Sequence, residues 1–245
     1  MIPIRDVNPT RSTPWVTWSI ILLCGLVFLW QWVLPEAAAE SFVLTWGLVP
    51  RRISGGDAGA WVTALTSMFM HGGLMHLVGN LWFLYIFGDN VEDNMGSGRF
   101  ALFYLLSGLA AAASQYLTAP LSPVPMVGAS GAIAGVLAAY LVLFPRARVV
   151  TLIPIFVFLQ WVELPAVVFI ALWFALQFYS GIGSLAHGGS GGVAYWAHIG
   201  GFAAGLVLTF LLRRPKAPDL DEGWRIVRHD RRPPPRTPWN NDPGW

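Results

Sequence analysis

The sequence predicts an all-α membrane protein, a bundle of six transmembrane helices, and two observations lead to this fold class. Hydrophobic residues make up 55% of the 245 residues and charged residues only 11%, with a mean hydropathy of +0.56. These values lie far from those of a soluble domain. The apolar residues also gather in long runs, and about 20 helical residues suffice to cross a hydrocarbon core of about 30 Å.

Six apolar runs follow one another along the chain and form one predicted domain, 15–212. The first run comes after a polar segment at 1–14. It is too long for the apolar region of a cleaved signal peptide, so we expect it to remain as a membrane anchor. In order, the predicted spans are 15–34, 73–87, 100–117, 126–144, a fifth that begins after Glu163, and 193–212.

The segments between these runs differ in character. Residues 35–60 form a long connection, and 88–99, rich in acids and amides, is predicted to be a tight polar turn. The apolar stretch 149–179 is too long for one span, so we predict a short interfacial or partly re-entrant piece before Glu163 and the fifth span after it. The tail, 213–245, is rich in arginine and proline and is predicted to be disordered.

The positive charges indicate the orientation of the six spans. An even number of spans puts both termini on one side, and that side would carry thirteen of the fifteen lysines and arginines; the other face keeps only Arg51 and Arg52. Because cytoplasmic loops are enriched in these residues, both termini are predicted to be cytoplasmic. The short polar N-terminus and minimal six-span core favour a prokaryotic plasma membrane, that is, an inner membrane.

Composition also excludes several classes of function. A net charge of +2, with the basic residues scattered over loops and tails, gives no case for nucleic-acid binding. The single cysteine, Cys24, excludes an intrachain disulfide framework and a multi-cysteine metal site. We expect the lipid bilayer, in which the protein is embedded, to be one of its partners.

Four polar residues interrupt the apolar runs at what should be one depth. His76 and Asn80 lie four apart in the second span, and Ser130 and His198 lie near the starts of the fourth and sixth. All three spans enter from the outer face in this topology, so these side chains can meet. A serine hydroxyl becomes a useful nucleophile when a base accepts its proton, which predicts a dyad of Ser130 and His198.

The same region offers donors for an oxyanion. The backbone N–H of Ser130 lies at a helix N-terminus, where amides lack intrahelical partners, and His76 and Asn80 can offer side-chain N–H groups. No acid is well placed to complete a triad, because Glu163 and the acids of 88–99 fall at the cytoplasmic ends of spans. We therefore expect a dyad.

Small residues should allow the two helices of this dyad to approach closely. The fourth and sixth spans carry Gly131-x-x-x-Gly135 and Gly201-x-x-x-Gly205, spacings that permit tight helix contact in membranes. His198, Gly201 and Gly205 lie on one stripe of the sixth helix.

These residues resemble the rhomboid family of intramembrane serine proteases, over about residues 60–210. Three motifs carry the resemblance on the spans: Gly128-Ala129-Ser130-Gly131, His198 with Gly201 and Gly205, and His71-Gly72-Gly73-Leu74-Met75-His76-Leu77-Val78-Gly79-Asn80. A fourth is similar to the family's Glu-x-x-x-Gly element and runs from Glu92 to Gly96.

The resemblance implies a role for each residue. Ser130 would be the nucleophile, His198 the base, and His76 and Asn80, with the Ser130 backbone, the oxyanion hole. Structural roles are implied for a larger set: His71, Glu92, Gly96, Gln115, Gly128, Gly131, Gly201 and Gly205. The implied substrates are transmembrane proteins cut near the outer end of a span, with no cofactor and no metal.

Two positions depart from the family pattern. Many members carry a Trp-Arg pair before the second helix, where this chain has Val62-Thr63, and some have a tyrosine that stacks on the histidine, where this chain has Ala134. We therefore expect either that His198 is held less firmly, by Trp196 or another aromatic side chain, or that the site is slower.

The same polar residues are open to other interpretations. A serine in a membrane helix often bonds to its own backbone or joins two helices. A metal site built from His71, His76 and His198 would lack an acidic fourth ligand. The main alternative is a catalytically inactive rhomboid-like scaffold that binds transmembrane helices without cutting them.

Overall fold

Helices make up most of the structure, a computed structural model that describes residues 2–155, 158–186 and 194–214. The helices are α1 (Trp15–Val33), α2 (Glu36–Trp46), α3 (Pro50–Ser54), α4 (Thr63–Thr66), α5 (Leu74–Met95), α6 (Ser97–Thr118), α7 (Ser130–Leu143), α8 (Ala166–Ala186) and α9 (Tyr195–Leu212). Two short 3-10 turns, Ala58–Val62 and Ser67–Phe69, flank α4. The strands are β1 (Ile2–Asp6), β2 (Arg148–Ile155) and β3 (Phe158–Pro165).

Four of the described helices are long and apolar enough to cross a membrane. They are α1, α6, the Ala166–Gly183 part of α8, and α9. Helix α5 is as long as α6, with 22 residues, but carries Asp89, Glu92 and Asp93 near its C-terminal end. Helix α7 has only 14 residues. Length and composition therefore support four spans in the described part of the chain, and the count of six stays a prediction.

Helix α7 lies at the centre of the bundle. It packs against α5, α6, α8 and α9, and every residue from 131 to 140 is buried. This helix contains no charged residue, and most of its residues are small or branched, so neighbouring helices can surround it completely. At a rise of 1.5 Å per residue its 14 residues extend about 21 Å.

The contact between α7 and α9 depends on glycine. A Cβ atom added to Gly201 would overlap the carbonyl oxygen of Gly131, and one added to Gly205 would lie 2.5 Å from the Cα of Gly135. On the α6 side, a Cβ on Gly135 would come within 2.6 Å of Ser107. In lipid, where helices gain little from hydrophobic burial, such backbone approach is a main source of association.

The all-α prediction is wrong at one end of the bundle, where β1, β2 and β3 form an antiparallel sheet in the order β1-β2-β3. Ile2 pairs with Leu152, and Val150 pairs with Glu163. The segment before Glu163, for which an interfacial or partly re-entrant piece is predicted, is the hairpin of β2 and β3; its depth in the membrane stays a prediction. Val149 and Thr151 are both fully buried, a period of two that fits a strand with one face on the core.

The predicted turn at 88–99 is also wrong. Helix α5 continues to Met95 and α6 begins at Ser97, so the chain reverses at Gly96 alone. Gly96 has a φ of +82°, a left-handed conformation that favours glycine. The long connection at 35–60 is largely helical, since it contains α2 and α3.

Glu92 lies in the part of α5 for which the sequence predicts a turn. Its buried carboxylate accepts hydrogen bonds from the backbone N–H groups of Val16 at 2.9 Å and Thr17 at 2.8 Å. The hydroxyls of Thr17 and Ser97 also donate to it, at 2.9 Å and 2.6 Å. Glu92 thus caps the N-terminus of α1, where free N–H groups and the helix dipole favour a negative charge.

Two segments fall partly outside the described residues. The glycine-rich stretch 181–192 is helical as far as Ala186, where α8 ends, and 187–193 are outside the described residues. The predicted tail lies outside them from residue 215 onward.

A polar cluster joins β1 to α5 and α7. The Asp6 carboxylate accepts hydrogen bonds from the Tyr140 hydroxyl at 2.6 Å and from the Asn90 amide at 2.9 Å. Burial raises the pKa of the Asp6 carboxyl from 3.8 to about 6; the nearby charge of Asp89 acts in the same direction, and the hydrogen bond from Tyr140 opposes both. Asp6 therefore attaches the N-terminal strand to the central helix.

Replacing Gly201 with alanine is expected to destabilise the bundle by about 1–3 kcal/mol, because the new methyl group meets backbone that cannot move aside. The unfolding temperature of purified protein in detergent measures this effect. Gly25→Ala in α1 is the matched control, since no atom lies within 4 Å of the added Cβ. Equal unfolding temperatures for the two variants would contradict the proposed contact.

Stability should also fall as the pH rises from 3.8 to about 6. The folded pKa of Asp6 is above the unfolded value, so its stabilising contribution is complete below 3.8 and is lost as the pH passes about 6. Asp6→Asn should flatten this part of the profile of unfolding temperature against pH. Asp57→Asn is the control, because the hydrogen bond from Arg52 lowers the pKa of Asp57, the opposite direction to Asp6. An unchanged profile in Asp6→Asn would be evidence against the assignment.

Candidate active site

Ser130 is the first residue of α7, and the loop before it is firmly attached. Leu48 and Met126 exchange backbone hydrogen bonds at 2.8 Å and 3.0 Å, and the Gly128 N–H donates to the Ser67 carbonyl at 2.9 Å. Gly128 has a φ of +128°, which only glycine adopts readily. Ser130 is half-buried. Its position is therefore fixed from both the helix and the loop.

His198 lies in the first turn of α9 and is 8% exposed. Its Nε2 atom is 2.7 Å from the Oγ atom of Ser130. Gly131 directly follows Ser130, and Gly201 lies three residues after His198. The close approach of these two glycines sets the distance between the two backbones. The structure thus brings together the two residues that the sequence analysis pairs.

The other edge of the His198 ring contacts α8. The Nδ1 atom lies 2.6 Å from Oε1 of Gln177, and the Trp173 ring packs against the imidazole with centroids 5.8 Å apart. The expected aromatic neighbour is therefore Trp173; Trp196 instead accepts a hydrogen bond from Ser114 on its backbone carbonyl.

Sequence analysis missed Gln177. A signal was present, because Gln177 is an amide inside a long apolar run and lies four residues after Trp173, on the same helical face.

His76 and Asn80 converge beside the loop that precedes Ser130. A Cβ atom placed on Gly128 would lie 2.8 Å from Nε2 of His76 and 3.7 Å from Nδ2 of Asn80. The Gly72 N–H points to Nδ1 of His76 at 3.4 Å, which leaves Nε2 as the protonated nitrogen and a donor. Asn80 is 7% exposed, and its amide donates to the His76 carbonyl at 3.0 Å.

His71 lies behind His76 and is buried. The two rings meet edge to face with centroids 5.2 Å apart. The side chain of Gln31 in α1 accepts from the His71 N–H at 3.2 Å and donates to its carbonyl at 3.3 Å. Neither ring nitrogen of His71 has a hydrogen-bond partner among the described residues. His71 thus joins the start of α5 to α1.

The remaining residues of the predicted set lie in two places. Glu92 and Gly96 are at the opposite end of α5 from His76 and hold α1 and α6. Gly131, Gly201 and Gly205 form the α7–α9 contact. Within 2–155, 158–186 and 194–214, no group of three or more histidine, cysteine, aspartate or glutamate side chains is arranged to hold a metal ion.

This arrangement has the parts that acyl transfer requires. A hydroxyl lies within hydrogen-bond distance of an imidazole, and N–H donors lie next to the first turn of the helix that carries the hydroxyl. The hydroxyl can donate to Nε2 when the imidazole carries its proton on Nδ1.

Comparisons with known proteins cover the same elements. The family model described as a rhomboid domain matches residues 58–215. Rhomboid-like protein 11, chloroplastic, of Arabidopsis thaliana is 31% identical over 170 residues, which is 66% of this chain and 56% of that protein.

Two bacterial proteins are also similar. The putative rhomboid protease YdcA of Bacillus subtilis is 34% identical over 131 residues, 54% of this chain and 63% of that protein. The rhomboid protease GlpG of Klebsiella pneumoniae is 32% identical over 93 residues, 38% of this chain and 32% of that protein. The chain thus matches less than two thirds of the length of each of these relatives.

Proposed function

This chain belongs to the rhomboid family, and we propose that it is an intramembrane serine endopeptidase that cuts other membrane proteins in or near their transmembrane segments. It is an integral membrane protein with apolar helices of membrane-spanning length. The observation that carries the proposal is the 2.7 Å distance between Ser130 Oγ and His198 Nε2. Relatives named as rhomboid proteases support the reaction class.

In the proposed reaction the Ser130 hydroxyl attacks the carbonyl carbon of the scissile peptide bond. His198 Nε2 accepts the hydroxyl proton as the bond forms, and the carbonyl becomes a tetrahedral oxyanion. When this intermediate collapses, the imidazolium gives the proton to the leaving amine, and the substrate's N-terminal part remains as an ester on Ser130. Water, activated by the same imidazole, then hydrolyses the ester.

The oxyanion would be stabilised by N–H groups beside Ser130. Protonated Nε2 of His76 and the amide of Asn80 converge next to Gly128, and the backbone N–H of Ser130 belongs to the first turn of α7. Donors fixed by the fold need no reorganisation as charge develops, which is why such sites accelerate acyl transfer.

We propose that α5 and α7 are the two further spans, which gives six. Helix α7 is enclosed by other helices, so it can be shorter than a lipid-facing span. Its length of about 21 Å is about 9 Å less than a hydrocarbon core of about 30 Å. Ser130, at its N-terminus, would then lie below the membrane surface, at the level of a substrate's transmembrane segment.

The orientation follows from the charges at the two ends of α7. Arg51 lies at the Ser130 end, where its N–H donates to the Ser122 carbonyl at 3.0 Å. Arg5 and Arg148 lie in the sheet at the other end. Because the tail adds further positive charge to that side, we propose that the sheet and both termini face the cytoplasm, in a prokaryotic plasma membrane. The protease domain would be 15–212, between a cytoplasmic segment at 1–14 and a cytoplasmic tail at 213–245.

Ser130→Ala and His198→Ala should each abolish cleavage of a model single-span substrate by purified protein in detergent, because each removes one half of the proton transfer. The matched control is Ser19→Ala, an exposed serine of α1 whose hydroxyl donates to the Trp15 carbonyl, and it should cut at the wild-type rate. A Ser130→Ala protein that still cuts would rule out the mechanism. Absence of cleavage by the wild type would favour the inactive scaffold.

His76→Ala or Asn80→Ala should lower kcat by about 10²–10³-fold with little change in KM, the effect of removing one oxyanion donor. Met75→Ala is the control, because Met75 is adjacent in the chain but is 80% exposed. Steady-state kinetics with the same substrate measure both constants. If KM rose while kcat stayed constant, these side chains would bind substrate and not the oxyanion.

A further inference from the structure

Gln177 is a polar side chain in an otherwise apolar stretch of membrane helix. The segment from Ala166 to Leu176 contains no polar residue other than Trp173, and the neighbours Leu176 and Phe178 are 61% and 47% exposed. An amide inside a membrane helix is costly unless it is hydrogen-bonded. The contact that accounts for Gln177 is its Oε1 atom, 2.6 Å from Nδ1 of His198.

This contact favours one tautomer of His198. The amide oxygen of Gln177 faces Nδ1 and only accepts hydrogen bonds, so the 2.6 Å contact is a hydrogen bond when Nδ1 carries the proton. The lone pair then lies on Nε2, which is 2.7 Å from the Ser130 hydroxyl. With the proton on Nε2 instead, the ring could not accept the serine proton.

We propose that Gln177 is the positioning residue of the dyad: its amide oxygen holds His198 in the tautomer and ring orientation that let Nε2 act as a base. The proposal rests on the proposed function and adds a third member to it. Gln177 does not touch the reacting atoms and carries no charge.

A neutral amide suits this location better than the carboxylate found in soluble serine proteases. A carboxylate within the membrane would carry a large desolvation penalty. An amide oxygen still fixes the tautomer, and its dipole still favours the imidazolium when the serine proton is transferred. The expected result is a well-oriented base with less charge stabilisation than an aspartate would give.

Trp173 completes the holding surface. It lies four residues before Gln177 on the same face of α8 and packs against the imidazole with centroids 5.8 Å apart. Gln177 therefore fixes the edge of the His198 ring, and Trp173 fixes its plane. Both come from α8, so the orientation of His198 depends on how α8 packs against α9.

The first test reads the tautomer directly and needs no substrate. Nitrogen NMR of protein labelled with ¹⁵N-histidine, with the His198 signals identified by their loss in His198→Ala, should give a protonated Nδ1 in the wild type. In Gln177→Leu, which keeps the size but removes the acceptor, the population should shift toward a protonated Nε2. An unchanged His198 spectrum in Gln177→Leu would overturn the proposal, whether or not the protein cleaves anything.

The second test measures cleavage. Gln177→Leu should lower kcat by about 10- to 100-fold with little change in KM or in unfolding temperature, the loss expected from one orienting hydrogen bond. Gln177→Glu should restore part of the rate, because its carboxyl group still offers an oxygen that accepts a hydrogen bond from Nδ1. Leu176→Ala, an exposed neighbour, should behave as the wild type.

The outcomes separate this proposal from the proposed function. If Gln177→Leu cuts at the wild-type rate, the positioning role is wrong while the dyad stands. If Ser130→Ala cuts as the wild type does, the proposed function fails, and the tautomer measurement still decides the role of Gln177.

Discussion

The contact of Gly131 with Gly201, and of Gly135 with Gly205, sets the distance between α7 and α9. Any side chain at Gly201 would overlap the Gly131 backbone. In lipid, helices associate through such packing and through polar contacts, because burial of apolar surface brings little gain. The distance of 2.7 Å between Ser130 Oγ and His198 Nε2 follows from this backbone contact, since both residues lie within one helical turn of it.

The two ends of the bundle have different polar chemistry. At one end, Ser130, His198, His76 and Asn80 converge with side-chain N–H and hydroxyl groups. At the other end, Glu92 caps α1, and Asp6 joins β1 to Tyr140 of α7. The acids are therefore used to fasten helices to each other and to the sheet, and the histidines and the serine meet at the opposite end. This separation keeps ionised carboxylates away from the apolar middle of the bundle.

The sequence predicted the apolar helices and the residues that meet, because hydrophobic runs and glycine spacing are local signals. It did not predict the sheet, because β1 and β2 are almost 150 residues apart and because β2 and β3 lie in an apolar stretch that is typical of membrane segments. Glu92 looked like part of a turn, since its partners on α1 are 75 residues away. Gln177 stands out in the sequence as an amide in an apolar run, but its partner His198 lies on the next helix and only the structure shows their contact. The catalytic roles themselves stay predictions.

The most direct measurement of the central claim is the position of a covalent label. Purified protein would be treated with a fluorophosphonate, which reacts with a serine only when a base activates the hydroxyl, and the adduct would be located by peptide mass spectrometry. The account predicts one adduct, on Ser130, with labelling greatly reduced in His198→Ala. An adduct on another residue, or equal labelling of Ser130 without His198, would contradict the claim that these two residues act as nucleophile and base.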